Sequence, residues 1–429
     1  MPSNIWTRRM LLQGLAAGTC LSPRLGLASE HDGYIDAQPV EQFFQNGVLL
    51  DSDGQIHNGI GIHLKNGRIA SLSSSIQQGE DLKGTWIVPG FSDAGSTVGM
   101  FEVGLESRTH DHNESKVEER ERLVPASSFN PLSATVPVAR TAGFTHSFLR
   151  PSAGGLVVGQ TSLVRLAGLV PADATVEEGV ALVLAYKKGD KASSRMGLQV
   201  VLKDLLSEYG PTKPKRTGFF SKKTKDPYAG MEPVERIWSK VADQKMPLLI
   251  SANRVDDIAN VIALQEEFPA RIILVGGAEA WMQADKLAAA DVPVILGPLD
   301  VQPSSFSHLH ARYDNAAILH KAGVKIAFQS RANHNVRFLP SLAGLVVAHG
   351  LPFEEAIRAL TVNIYDILQI ERAVDLKRDG TDLPASFFLC EGDPLQPRNA
   401  VLRMWIEGRE VSLETRQTKL RDRFKVLSR

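Results

Sequence analysis

His110 and His112 stand two residues apart, with Asp111 between them and Glu114 just beyond, a set of donors that could chelate a divalent metal. At that spacing the two imidazoles share one face of an extended segment but not of a helix. The four residues alone do not specify convergence, and such a charged run more often lies in a solvated loop. His308 and His310 repeat the spacing, and His334 lies near Arg331 and Arg337, where it could hydrogen-bond or bind an anion; ordinary polar contacts are the default for all three. The run Gly154-Gly155-Leu156-Val157-Val158-Gly159-Gln160 could bring backbone amides close to a ligand. It lacks the lysine and spacing of a phosphate-binding loop, so tight loop packing is the more economical account.

The elements that would position these residues are strands and crossover helices. Residues 48–50, 59–64 and 68–72 are short strand candidates separated by polar or glycine-rich turns, and residues 386–390 and 401–411 have the same character. Between them lie compact apolar runs at 180–184, 248–250, 272–275, 292–296 and 324–328. Residues 255–267, 278–290 and 313–321 carry recurring apolar faces, as helices covering a parallel sheet would. Residues 192–208 repeat Met196, Leu198, Val201, Leu202, Leu205 and Leu206 at helical spacing before Gly210-Pro211 stops the run. An open α/β sheet is the alternative to a closed barrel for this pattern.

With 429 residues, 43% of them hydrophobic and 22% charged, the chain can bury a large core and a smaller accessory domain. Forty-eight basic residues balance 48 acidic ones, so global electrostatics give no support to a nucleic-acid role. Thr7-Arg8-Arg9-Met10-Leu11-Leu12, an apolar stretch through Ala17 and small residues near Ala28-Ser29 read as a twin-arginine or other secretory signal. The other reading is an amphipathic opening helix; the apolar run is too short for a stable membrane span. Export to a bacterial periplasm is therefore expected. Cys20 falls in this leader without a strong lipid-attachment context, which leaves Cys390 as a buried small apolar residue rather than a nucleophile. Lysines at 213–225 surround Phe219 and Phe220, a solvated loop by default and a lid or docking segment as the alternative.

Several ordered segments carry a family resemblance. Thr85-Trp86-Ile87-Val88-Pro89-Gly90-Phe91-Ser92-Asp93-Ala94-Gly95-Ser96-Thr97 resembles the first barrel strand of a metal-dependent amidohydrolase. Phe129-Asn130-Pro131, Ala142-Gly143-Phe144-Thr145-His146-Ser147-Phe148-Leu149-Arg150-Pro151, the strand with Ser251 and Asn253, the strand ending at Gly276 and the strand ending at Arg331 follow in family order. Across residues 40–411 the chain resembles imidazolonepropionase-like and prolidase-like amidohydrolases. The resemblance implies a TIM-like (β/α)8 barrel over 89–381 and a small discontinuous β-sandwich domain over 36–88 and 382–415; the leader residues themselves mark an export signal over 1–28, and residues 416–429 read as a basic tail.

The same resemblance implies that Gly95, Thr97, Asn253, Gly276 and Arg331 occupy positions where the family carries its histidine ligands and its metal-binding, proton-accepting aspartate. Glycine supplies no donor, and a protonated guanidinium accepts neither a metal nor a proton. No cofactor and no metal are expected, and the reading is a noncatalytic protein used for protein interaction or small-ligand binding. Thr97, Asn253 and Arg331 are its candidate ligand-binding residues, with Arg331 clamping a carboxylate or other anion. Water or an organic anion is expected in the volume that the ligands vacate if that volume stays polar and open. The alternative is an atypical hydrolase acting on an amide, cyclic amide or peptide-like C–N bond, for which Ser96 is a nucleophile only if a base is found for it. A homodimer, or a heteromer with an amidohydrolase-like partner, is expected by analogy.

Overall fold

A computed structural model describes residues 33–34, 41–152, 155–189, 191–209, 226–303 and 305–425. The leader with Cys20, Gly154, the basic loop at 213–225 and residues 426–429 of the tail lie outside the described residues.

The chain opens with β1 (Glu41–Leu50), β2 (Ile56–Lys65), β3 (Arg68–Ser73), β4 (Glu80–Asp81) and β5 (Trp86–Pro89). The β2–β3 connection is Asn66-Gly67, both at positive φ, which is the two-residue hairpin turn whose twist matches the strands it joins. Eight strands follow: β6 (Phe91–Ser96), β7 (Phe144–Leu149), β8 (Val157–Arg165), β9 (Thr175–Ala185), β10 (Leu248–Ala252), β11 (Ile272–Gly276), β12 (Val294–Leu296) and β13 (Ile326–Phe328). The chain then returns to the first sheet through β14 (Leu383–Pro384), β15 (Phe387–Cys390), β16 (Val401–Ile406) and β17 (Arg409–Val411).

The two ends of this path make one nine-stranded sheet in the order β14-β3-β2-β1-β5-β15-β16-β17, with β4 beside β1. The sheet bends back on itself. Four strand spacings separate β2 from β16, about 19 Å in a flat sheet. Yet a Cβ built on Gly408, in the β16–β17 turn, would stand 2.2 Å from the Cα of Gly67, in the β2–β3 turn. Both turns need glycine there, and their meeting gives a sandwich-like body around Phe44, Ile62, Phe387 and Trp405.

The middle strands form a TIM-barrel-like sheet in the order β6 to β13. All neighbours are parallel except that β8 runs antiparallel to β7 and β9. The expectation of a wholly parallel sheet is corrected here, and the cause is connection length. A parallel return needs a crossover of a dozen or more residues, and the segment from Leu149 to Val157 is too short for one. The ring is closed by the segment after β13: Ser330 donates to the Asp93 carboxylate from its backbone N–H at 3.0 Å and from its hydroxyl. Arg331 N–H donates to Gly95 O at 2.8 Å, and Thr97 N–H to Ala332 O at 3.0 Å.

Helices cover the outside. Val255–Glu267 buries Ile258, Val261, Ile262 and Leu264 at the spacing of one helical face. Arg195–Glu208 starts three residues later than the apolar pattern suggests, because the Ser194 hydroxyl accepts from Gly197 N–H and caps it there. The expected helix over 278–290 is a 3-10 turn, Ala280–Gln283, running into a short α-helix, Ala284–Ala289. The third expected helix is Asn315–Lys321. Among the described residues no helix is long and apolar enough to cross a membrane.

Candidate functional site

The ends of β7, β9, β10 and β13 and the start of the reversed β8 surround a cavity of about 630 Å3. Its polar lining is cationic: Arg150, Lys187, Lys188, Arg195 and Arg331 face it with the single carboxylate of Asp257. Arg195 is already committed, since its guanidinium forks onto both oxygens of Asp257, Nη2 to Oδ2 at 3.0 Å. Asp257 is buried and lies in the first turn of its helix, so the pair fixes one wall.

Arg150 is the most buried of the lining cations, 7% exposed just after β7. Its backbone N–H donates to Ser96 O at 3.1 Å, and its Nη2 donates to the side-chain oxygen of Gln329. Gln329 is held in turn: its Nε2 donates to Gly297 O at 2.9 Å and to Ile295 O at 3.3 Å, which turns its oxygen toward Arg150. Arg150 Nη1 is buried with no hydrogen-bond partner among the described residues. Burial, and next the like charge of Arg331, pull the Arg150 pKa down; Asp93 opposes them. The group still carries its charge at neutral pH. Asp93 is fully buried and accepts from Ser330 N–H, Ser330 Oγ and Gly95 N–H, the last at 3.0 Å. Burial raises its pKa, while those hydrogen bonds and then Arg150 act the other way.

The five positions singled out in the sequence do not share one surface. Asn253 and Arg331 line the cavity, and Arg331 holds a left-handed backbone (φ 52°). Its guanidinium is reachable from solvent yet enclosed by the mouth, and that partial desolvation lowers its pKa. Thr97 is buried and lies outside the cavity lining. Gly276 borders a separate recess of about 30 Å3 with Pro298, Arg312 and Asn315. Its missing Cβ leaves room for Asn253, whose Oδ1 would lie 2.5 Å away and accepts from Ala278 N–H at 3.3 Å. A Cβ on Gly95 would stand 2.6 Å from Gln329 Oε1 and 3.1 Å from Arg150 Cζ. The volume beside Gly95 is therefore filled by Gln329 and Arg150, so the open polar volume in which water or an organic anion was expected does not exist at this position.

The other candidates find local partners. Ser96 is buried, its hydroxyl 2.6 Å from that of Ser147, and it accepts from Val98 N–H at 3.2 Å; no base adjoins it in these contacts. His110 donates from Nε2 to Val103 O at 2.9 Å, and both His110 and His112 pack against Phe101. Burial, then the neighbouring His110, lowers the His112 pKa. Glu114 accepts from Lys116 N–H at 2.6 Å, and Asp111 donates its own N–H to Met100 O at 2.9 Å, so neither is drawn toward the imidazoles by these bonds. His308 Nδ1 meets the hydroxyls of Ser305 and Ser307 at 2.9 and 3.1 Å, while the His310 carbonyl accepts from Trp281. His334 opens the 3-10 turn His334–Phe338, where Arg337 lies over the Phe338 ring. Cys390 is buried, which raises its thiol pKa. Among the described residues no three His, Cys, Asp or Glu side chains form a group that could hold a metal ion.

Arg150, Gln329 and Asp93 were the residues that sequence reasoning passed over. A charged residue directly after the strand Phe144–Leu149, whose six positions are all buried, was the available signal for Arg150.

A TIM-barrel-like body with a discontinuous sheet domain and a polar mouth at its strand ends is an amidohydrolase-like architecture. A solved amidohydrolase from Thermotoga maritima superposes with a TM-score of 0.75 at 25% identity, covering 86% of this chain and 99% of that one. A prolidase solved with N-methylphosphonate-L-proline is similar in fold alone, with a TM-score of 0.53 at 14% identity over 87% of this chain and 99% of that one. Amidohydrolase tasK of Hapsidospora irregularis is 24% identical over 332 residues, 66% of this chain; the chain spans about a third (32%) of that relative's length. No family model matches the chain. The chain is similar, at low identity, to amidohydrolases, and to a prolidase in fold alone.

Proposed function

We propose that the barrel mouth is the anion-binding site of a hydrolase-like protein. Its ligand is a small molecule bearing a carboxylate together with an amide, cyclic amide or peptide-like C–N bond. The observation that carries this is the cationic cavity, in which Arg331 and Arg150 face a volume that holds one already paired carboxylate. Guanidinium groups bind carboxylates through paired, charge-assisted hydrogen bonds, strongest where water is partly excluded. The C–N bond comes from the similarity to amidohydrolases, which favours hydrolysis over a purely noncatalytic role.

The residues present do not fit the divalent metal that such a barrel commonly holds. The Arg150 guanidinium stands beside Gly95, Gly276 offers no donor, and Arg331 brings a second positive charge to the same mouth. Like charge and missing donors both disfavour a bound cation. Hydrolysis here therefore uses no metal-bound water at these positions, and the mouth's own contribution is to bind and orient the carboxylate. That poor fit is also what favours a second reading, binding without turnover. Export by the leader, and assembly as a homodimer or with an amidohydrolase-like partner, belong to the same proposal.

Calorimetry with small carboxylates, run beside hydrolysis assays on carboxylate-bearing amides, cyclic amides and dipeptides with and without zinc or manganese, tests both readings. Arg331→Ala is expected to weaken carboxylate binding roughly 10- to 100-fold, the loss of one or two charge-assisted hydrogen bonds. Unchanged affinity rejects the site. Turnover without added metal supports the hydrolytic reading, and binding with no turnover on any of them supports the noncatalytic one. Turnover that needs a metal overturns the argument from poor fit.

A further inference from the structure

We propose that the mouth selects ligands with two anionic groups, a dicarboxylate or an amide-linked equivalent, held at two separate loci. One group meets the buried Arg150 together with the solvent-reachable Arg331, and the other meets Lys187 and Lys188 at the end of β9; this rests on the reading of the mouth as an anion site.

Charge and placement lead to it. With Arg195 neutralised by Asp257, four cations of the lining remain: Arg150, Arg331, Lys187 and Lys188. Arg150 is buried while Arg331 and both lysines are exposed; Arg331 is close enough for its charge to act on Arg150, which groups the two arginines as one locus apart from the lysine pair. Lys187 and Lys188 directly follow the wall residues Ala185 and Tyr186, and Lys187 N–H donates back to Ala185 O at 2.7 Å, a bend that leaves them where β9 opens to solvent. Among the described residues neither has an ion-pair partner. The arginine locus has its own independent sign, because Arg150 Nη1 is a buried donor without a partner. Leaving such a donor unpaired costs roughly 1–3 kcal/mol in a folded chain, a cost that an anion in the cavity removes. A single carboxylate would satisfy the arginine locus and leave the lysine charges unmatched. The cavity, at about 630 Å3, has room for a molecule long enough to reach both.

The test is calorimetry of the full chain at low ionic strength with butyrate, glutarate and inorganic phosphate, comparing the natural sequence with Lys187→Ala/Lys188→Ala and with Arg150→Gln. Glutarate is expected to bind at least about tenfold tighter than butyrate. The double lysine variant should lose roughly five- to tenfold in glutarate affinity, as two exposed charge contacts allow, and should lose at least about threefold less for butyrate, which feels the lysines only at long range. Arg150→Gln should weaken both acids. Because it alters a buried group and can unfold the chain, the surface lysine variant decides the matter independently. Equal affinity for butyrate and glutarate, or glutarate binding indifferent to the lysines, overturns the two-locus inference while leaving the anion site standing. Phosphate binding as tight as glutarate and equally indifferent to the lysines also overturns it. Failure of every anion to bind overturns the anion site and the inference together.

Discussion

At Gly95 a single missing methyl group decides what the barrel mouth contains. Gln329 and Arg150, the atoms an added Cβ would meet, are ends of flexible side chains, but both are tied down. The Gln329 amide spans two backbone carbonyls, and Arg150 is buried against it. Gly95→Ala is therefore expected to overpack the site and cost about 1–3 kcal/mol, read as a lowered urea midpoint. A neutral result would mean that the pair swings aside freely. His146 offers a second measurement at this scale. It is fully buried on β7, its Nδ1 3.0 Å from Thr145 Oγ1, and burial followed by the charge of Arg165 lowers its pKa to about 3. The unfolded chain binds that proton near pH 6.5 and the folded chain does not until about pH 3, so between these values the unfolded state holds more protons and stability falls as pH falls. The slope from this one group is about 1.4 kcal/mol per pH unit well inside the window. Urea titrations from pH 7 to 4 should show that slope reduced in His146→Phe relative to the natural chain; parallel curves would disprove it.

At the scale of elements, closure of the barrel depends on Asp93, which receives three hydrogen bonds and thereby joins the end of β6 to the segment after β13. Asp93→Asn keeps the shape but replaces one acceptor oxygen by a donor that faces an N–H or O–H. A loss of about 2–4 kcal/mol is expected, with Asp93→Ala at least as costly, measured by chemical denaturation. Strands such as Ile272–Gly276 were legible because short apolar runs between helical patterns have few other meanings. The antiparallel β8 was legible too, in principle, from the length of its connection rather than from its residues. The site was less so. Arg331 and Asn253 could be found from strand ends, but the filling of the Gly95 volume depends on Arg150 and Gln329, which lie 55 and 234 positions away and meet only in the closed ring. Thr97 points to the same limit, since the family resemblance put it at the mouth while its N–H bonds to Ala332 O and its side chain is buried outside the cavity lining.

Over the whole molecule, formal charge cancels while positive charge gathers in one cavity, so a surface that looks neutral from afar can still recognise anions locally. Cohesion between the two sheets follows from a period of two. Leu49, Ile87, Phe387, Leu389 and Trp405 fill the core of the small sheet. Their chain neighbours Leu50, Val88, Phe388, Cys390, Met404 and Ile406 point the other way, into the large cluster that contains the barrel's Phe91, Phe144 and Leu149. Successive side chains of a strand face opposite sides, so the sheet is buried on both faces and shares its second core with the barrel. Phe388 is the joint between them: its ring lies edge-on to Phe91 at 5.2 Å, and a Cβ on Gly143 would stand 2.7 Å from its Cζ. Phe388→Ala would leave a cavity that neither sheet can close alone, at a cost of about 3–5 kcal/mol. Because both bodies lose the same contact, near-UV and far-UV circular dichroism should report one transition moved to lower denaturant, with the two signals still coincident. If the small sheet melted first and the barrel held its original midpoint, the shared core would not be what couples them.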